Sequence, residues 1–287
     1  MTGLAEPWPL PDGLPPGRLV VPDPKYGGSD PVTEPVLWVT DEPVPHAGPL
    51  FARLLADHDR TRLWPLLLTT LVAPRILGAS REITEAIRRG NPPGRPWHTG
   101  ELAPVPRVEL DPNRILAERW KLSHGQDREE FDFGADAVPT AAFRSWPGLA
   151  EPAPAGPDPD AYAASLAGSP GGLEGLTRRT DPPYLGLVPA SDGASAITAC
   201  GWMSQAGDAA EIAAVIGSWQ QRFGVRLCSL GFDTLGVSVA WPPATAERAR
   251  RVAAEHFAFC EDIADFTALD DYARSLAGAR AWTFWWD

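Results

Sequence analysis

Apolar residues recur along this chain in two rhythms, and the switch between them marks the elements. Pro35 to Thr40 is a β-branched and aromatic run closed by Asp41-Glu42-Pro43, which reads as a strand. From Pro49 onward Leu50, Phe51, Leu54 and Leu55 take helical spacing. Leu63-Trp64-Pro65-Leu66-Leu67-Leu68 is a continuous apolar run of strand length, so it predicts a strand buried on both faces, with Pro65 near its start. Ser80 is placed to cap a helix carrying Ile83 and Ile87 that stops at Gly90 before Pro92 and Pro93. Asp111 and Pro112 make a cap and first-turn pair for a helix bearing Ile115, Leu116, Arg119 and Trp120.

The last third is the most legible part. Tyr184 to Val188 is a short strand. Asp208 and Glu211 form a capping-box-like pair for a helix whose Ile212, Val215, Ile216, Trp219 and Phe223 make one apolar stripe ending at Gly224. Strands follow over Val225–Phe232 and Leu235–Trp241, an antiparallel pair joined through Asp233-Thr234. In the second, bulky Leu235, Val237, Val239 and Trp241 alternate with small Gly236, Ser238 and Ala240. Thr245 caps a helix from Ala246 to Cys260, Thr267 and Asp270 look like the cap pair of another, and Trp282 to Trp286 is a last strand.

These elements divide the chain into an N-terminal α+β domain, 1–146, and a C-terminal α+β domain, 184–287. The first is smaller in folded content and proline-rich, with an extended arm over Met1 to Thr33. Between them the composition of 147–183 shifts to Pro, Gly and Ala, with a helical stretch only at Asp160 to Ala167, which reads as a linker. Strand, helix, strand, strand, helix, strand is the order of a ferredoxin-like βαββαβ sandwich, the fold expected for 184–287.

Composition narrows the function classes. A formal net charge of −12 argues against a phosphate-backbone binder, so no nucleic-acid partner is expected. Met1 to Pro16 lacks the basic and apolar regions of a secretory signal, and no apolar run reaches the ~20 residues of a membrane span. With Cys200, Cys228 and Cys260 unpaired by spacing, the chain reads as cytoplasmic, with free thiols.

Phosphate loops, dinucleotide fingerprints, zinc helices and nucleophile elbows are all missing. Asp132-Phe133-Gly134 stands without the companion motifs that give that tripeptide its role in kinases. No catalytic residue, cofactor or metal ligand set is therefore assigned. Glu255, His256 and Cys260 form the one cluster able to carry chemistry: His256 and Cys260 are four apart, the spacing of two metal ligands or of a thiol beside its base. They also share the apolar stripe of Val252, where a buried histidine and a buried thiol are ordinary core residues. His58, in Asp57-His58-Asp59-Arg60, reads as a solvated helix end.

Twelve tryptophans are many for this length. Trp219 belongs to the core stripe. Trp285 points opposite to Trp282 and Trp286, and its sheet face is covered either by the N-terminal half or by a partner. Binding candidates are accordingly Trp202, Asp233, Trp241, Glu255, His256 and Trp285.

Several separated strings, Arg222-Phe223-Gly224-Val225-Arg226-Leu227, Leu230 to Leu235, Val252 to Cys260 and the terminal Trp282-Thr283-Phe284-Trp285-Trp286-Asp287, resemble an actinobacterial family known as domain of unknown function 4253. The resemblance covers the C-terminal domain, with a looser echo in Leu37 to Pro43 and Leu63 to Leu68. It implies a bacterial cytoplasmic setting and carries no activity, substrate or catalytic residue. The family pattern continues after Phe-Cys with Pro-Asp, where this chain has Glu261-Asp262. The expectation is a non-enzymatic interaction module of immunity-protein or adaptor type whose partner is another protein. The alternative is an enzyme or ligand-binding protein with an interdomain site at Glu255 and His256.

Overall fold

Strands from both ends of the chain enter one sheet. The computed structural model describes residues 8–22, 32–69, 104–105, 108–124, 143–202 and 206–286. The N-terminal part contributes β1 (Gly17–Val20), β2 (Leu37–Thr40), α1 (Ala47–Ala56), α2 (His58–Thr61), β3 (Leu63–Leu68) and α3 (Pro112–His124). Then come α4 (Pro159–Gly168), α5 (Gly172–Thr177), β4 (Tyr184–Pro189), α6 (Gly193–Ala199), α7 (Ala209–Phe223), β5 (Val225–Leu230) and β6 (Thr234–Val239). The chain closes with α8 (Ala246–Phe259), a 3-10 turn (Glu261–Asp265), α9 (Leu269–Leu276) and β7 (Ala281–Trp285). The helix expected after Ser80, and the Asp132-Phe133-Gly134 tripeptide, lie outside the described residues.

The sheet order is β1-β2-β4-β3-β5-β6-β7, antiparallel throughout except for the parallel pair β3 and β5. Every residue of β3 is buried, as its unbroken apolar run requires of a central strand. Pro65 is tolerated there for a positional reason. The bond from the Ala190 N–H to the Arg62 carbonyl sets the phase of the β3–β4 ladder, so position 65 faces β5. On that side pairing begins only at Leu67 and Leu68, so no ladder bond is lost at the proline. The Trp64 indole N–H instead donates to the Leu227 carbonyl at 3.0 Å, beside an irregularity in the β5–β6 register.

The element order of 184–287 is the expected one, but its spatial order is not ferredoxin-like. That fold needs its first and third strands side by side. Here β3 stands between β4 and β5, and β7 lies outside β6. The described residues form a mixed α+β structure on a seven-stranded sheet to which both halves contribute.

Residues 147–183, read as a linker, carry α4 and α5, and these helices lie on the small-residue face of β5 and β6. A Cβ on Gly236 would sit 1.8 Å from the Leu176 carbonyl oxygen, and the Ser229 hydroxyl donates to that same oxygen at 2.6 Å. The alternation of Gly236 and Ser238 with bulky residues therefore marks where a helix backbone touches the strand. Changing Gly236 to alanine must displace α5, with an expected loss of about 1–3 kcal/mol in denaturant unfolding; unchanged stability would contradict this packing. His58 is also not solvated: it is 8% exposed, against the Trp64 ring and 3.3 Å from the Asp160 carboxylate of α4.

On the opposite face Trp282 and Phe284 of β7 meet α7 and α8. The Trp219 ring stacks on Phe284 at 5.4 Å and meets Trp282 edge-on at 5.6 Å. Local signals place these helices. The Asp208 carboxylate accepts the Ala210 N–H, Gly224 ends α7 in the left-handed region, and the Thr245 hydroxyl accepts the Arg248 N–H. The expected Thr267–Asp270 cap of α9 is not formed: the helix starts at Leu269 after Ala268, and Asp270 pairs with Arg250 at 2.8 Å. Among the described residues no helix is long and apolar enough to cross a membrane.

Candidate functional site

Glu255 and His256 are adjacent on α8, yet both are fully buried: α8 packs between α3 and α9, and the Trp219 and Arg222 side chains of α7 and the aromatic rings of β7 close over the pair. Glu255 faces α7, where Trp219 and Arg222, three apart, share a helix face. Arg222 grips the carboxylate with both terminal nitrogens, at 2.8 and 2.6 Å. The Trp219 indole N–H donates to Oε2 at 2.7 Å, and the Ala150 N–H to Oε1 at 2.7 Å. Arg222 also donates to the Ala150 carbonyl at 2.9 Å, and its own carbonyl accepts the Ala153 N–H. The ion pair is thus a clamp that fastens the segment around Ala150 to α7 and α8.

His256 lies in an aromatic box. Its ring centroid is 4.5 Å from that of Trp282 and 4.9 Å from those of Trp219 and Phe284. Nδ1 shares a hydrogen bond of 2.9 Å with the Tyr272 hydroxyl, while Nε2 has no partner among the described residues. Burial, and then the nearby Arg222 charge, hold the imidazole pKa well below its ordinary value, so the ring is neutral at physiological pH.

Cys260 donates its thiol proton to the Trp285 carbonyl at 2.9 Å, and burial raises its pKa to about 12. Cys200 and Cys228 are likewise pushed up by burial, to about 12 and about 11. All three are free and buried. A thiol with so small a thiolate fraction is a poor nucleophile or metal ligand. In the folded protein the three should resist a thiol-exchange reagent and react at the rate of unfolding; fast labelling of Cys260 under native conditions would refute this. Among the described residues no group of three or more His, Cys, Asp or Glu is placed to hold a metal.

The remaining candidates do not converge on these two. The Trp202 indole donates to the Gly231 carbonyl at 2.7 Å and meets Trp286 edge-on. Asp233, in the turn between β5 and β6, accepts the Trp286 N–H through its backbone carbonyl, and its buried Oδ1 has no partner among the described residues. Trp241 lies beyond the other end of β6, bonds the Pro157 carbonyl at 2.9 Å and packs over Gly224. A cleft of about 260 Å³ between the 108–112 segment and α6 and α7, lined by Glu109, Ala194, Ala213 and Gln221 among others, includes none of the six candidates.

Trp285 is different, being only half-buried. The Arg178 guanidinium lies 4.5 Å from the centre of its ring, and Phe266, 70% exposed, stands 5.6 Å away centroid to centroid. Phe266 follows Glu261, Asp262 and Asp265 and precedes Asp270 and Asp271, and no Lys or Arg falls between Glu261 and Ala273. Sequence reasoning named Trp285 but missed Phe266. Its one available signal was an aromatic residue off any apolar stripe, inside an acidic run.

Fold and site together define a mixed α+β protein with a sealed polar clamp inside and an aromatic pair at its surface. Residues 184–287, from β4 to the end of the chain, match the family model described as Domain of unknown function (DUF4253). No curated protein and no solved structure matches the chain.

Proposed function

We propose that this protein is a non-enzymatic interaction module, of adaptor or immunity type, that binds a basic protein partner through the surface around Phe266 and Trp285. The observation that carries this reading is Phe266, a phenylalanine 70% exposed beside Trp285 and embedded in an acidic run. Large aromatic residues at a surface are the usual anchors of protein interfaces, and carboxylates around them favour a cationic partner and speed its encounter. A net charge of −12 acts in the same direction.

An enzyme or small-ligand site at Glu255 and His256 gains less support, since the carboxylate is already occupied by Arg222, Trp219 and Ala150. The setting we propose is the bacterial cytoplasm, supported by three unpaired thiols. The test is photo-crosslinking in the producing cells from a reactive residue placed at Phe266, with Leu19, exposed on β1, as the control position. A discrete adduct with a basic protein from position 266 alone is expected. Equal labelling from both positions, or none from 266, would refute the reading.

A further inference from the structure

Beside the aromatic pair runs an open sheet edge. The bonds from the Val239 N–H to the Arg280 carbonyl and from the Trp286 N–H to the Asp233 carbonyl, both 2.9 Å, set the phase of the β6–β7 ladder. Even-numbered residues from Arg280 to Trp286 face β6, so Ala281, Thr283 and Trp285 turn their backbone groups outward. The Trp285 carbonyl is taken by the Cys260 thiol. The N–H and C=O of Ala281 and Thr283 and the N–H of Trp285 have no partner among the described residues, and all three residues are only half-buried. Cys260 and the 3-10 turn stop this edge at one end, and that turn leads straight into Phe266.

Resting on the reading above, we infer that β7 is where the partner binds by strand addition: an extended, basic segment pairs with the outer edge of β7 and lays an apolar side chain against Phe266 and Trp285. In strand addition the main-chain bonds supply affinity and the alternate side chains supply choice. The edge offers the first through Ala281 and Thr283. The second comes from the aromatic pair for an apolar residue and from the exposed Asp265, next to Phe266, for lysine or arginine. The strand is short, as edges that must not aggregate commonly are, so pairing needs the aromatic anchor to be productive.

The probe is a short peptide alternating lysine and valine, titrated into the full chain at low salt. Thr283→Pro removes an outward N–H and no bond of the β6–β7 ladder, and an edge strand tolerates proline at such a position. A second version of the peptide, N-methylated on the amides that would face β7, leaves the protein untouched. Strand addition predicts that each change weakens binding by about tenfold or more, and that a glutamate–valine peptide does not bind. If Phe266→Ala abolishes binding while Thr283→Pro and N-methylation leave it intact, strand addition is overturned and the aromatic surface stands. If the lysine–valine peptide fails to bind, or binds unaffected by all three changes, both are overturned.

Discussion

Replacing Glu255 by alanine is expected to destabilise the protein by about 3–5 kcal/mol, because it leaves the Arg222 guanidinium charged, only 11% exposed and without its counter-ion. Arg222→Met should cost a similar amount by stranding the carboxylate. The double replacement should cost clearly less than the sum, since neither buried charge then remains, although Trp219 and Ala150 still lose an acceptor. Denaturant unfolding of the three variants measures the coupling, and amide exchange at Ala150 reports whether its segment comes loose. Single losses under 1 kcal/mol with additive effects would mean that the clamp is not formed.

Stability should also fall on mild acidification, through His256. Its folded pKa is depressed by burial, so between the unfolded value near 6.5 and the lower folded value the unfolded chain binds a proton that the folded chain does not. Stability is therefore fully present above about pH 6.5 and declines by about 1.4 kcal/mol for each pH unit below it, until the folded ring protonates. Comparing wild type with His256→Gln from neutral pH to about pH 5.5, above the range of ordinary carboxylates, isolates this contribution. The difference in stability between the two proteins should shrink as pH falls; a constant difference would mean that the ring takes up its proton as readily in the fold as in the unfolded chain.

The elements of the C-terminal part were legible because their signals are local. Asp208, Gly224 and Thr245 cap within one turn, and the stripe from Ile212 to Phe223 needs only its own periodicity. Sheet order was not legible. The apolar run of β3 says that both faces are buried but not which strands flank it, and its place between β4 and β5 depends on partners far along the chain. The Ala- and Gly-rich stretch before β4 looked like a spacer. In the structure it folds into α4 and α5, and α1 meets it backbone to backbone: a Cβ on Gly48 of α1 would lie 2.1 Å from the Ala167 carbonyl oxygen of α4.

For the site, sequence singled out Glu255 and His256 as polar residues on an apolar helix, and the structure makes them core. The missing clue was Arg222, a lone cation between Trp219 and Phe223 on the facing helix, which supplies the counter-charge. Phe266 escaped because exposure leaves no periodic trace, and only the fold brings it against Trp285.

The most direct test of a surface site is to compare folded Phe266→Ala and His256→Gln variants, at neutral pH, in binding the basic protein cross-linked at position 266. Phe266→Ala is expected to weaken binding by about tenfold or more, the loss of one aromatic anchor, and His256→Gln to leave it within about twofold. Binding that survives Phe266→Ala but is lost on His256→Gln would place the working site in the interior and contradict a surface site.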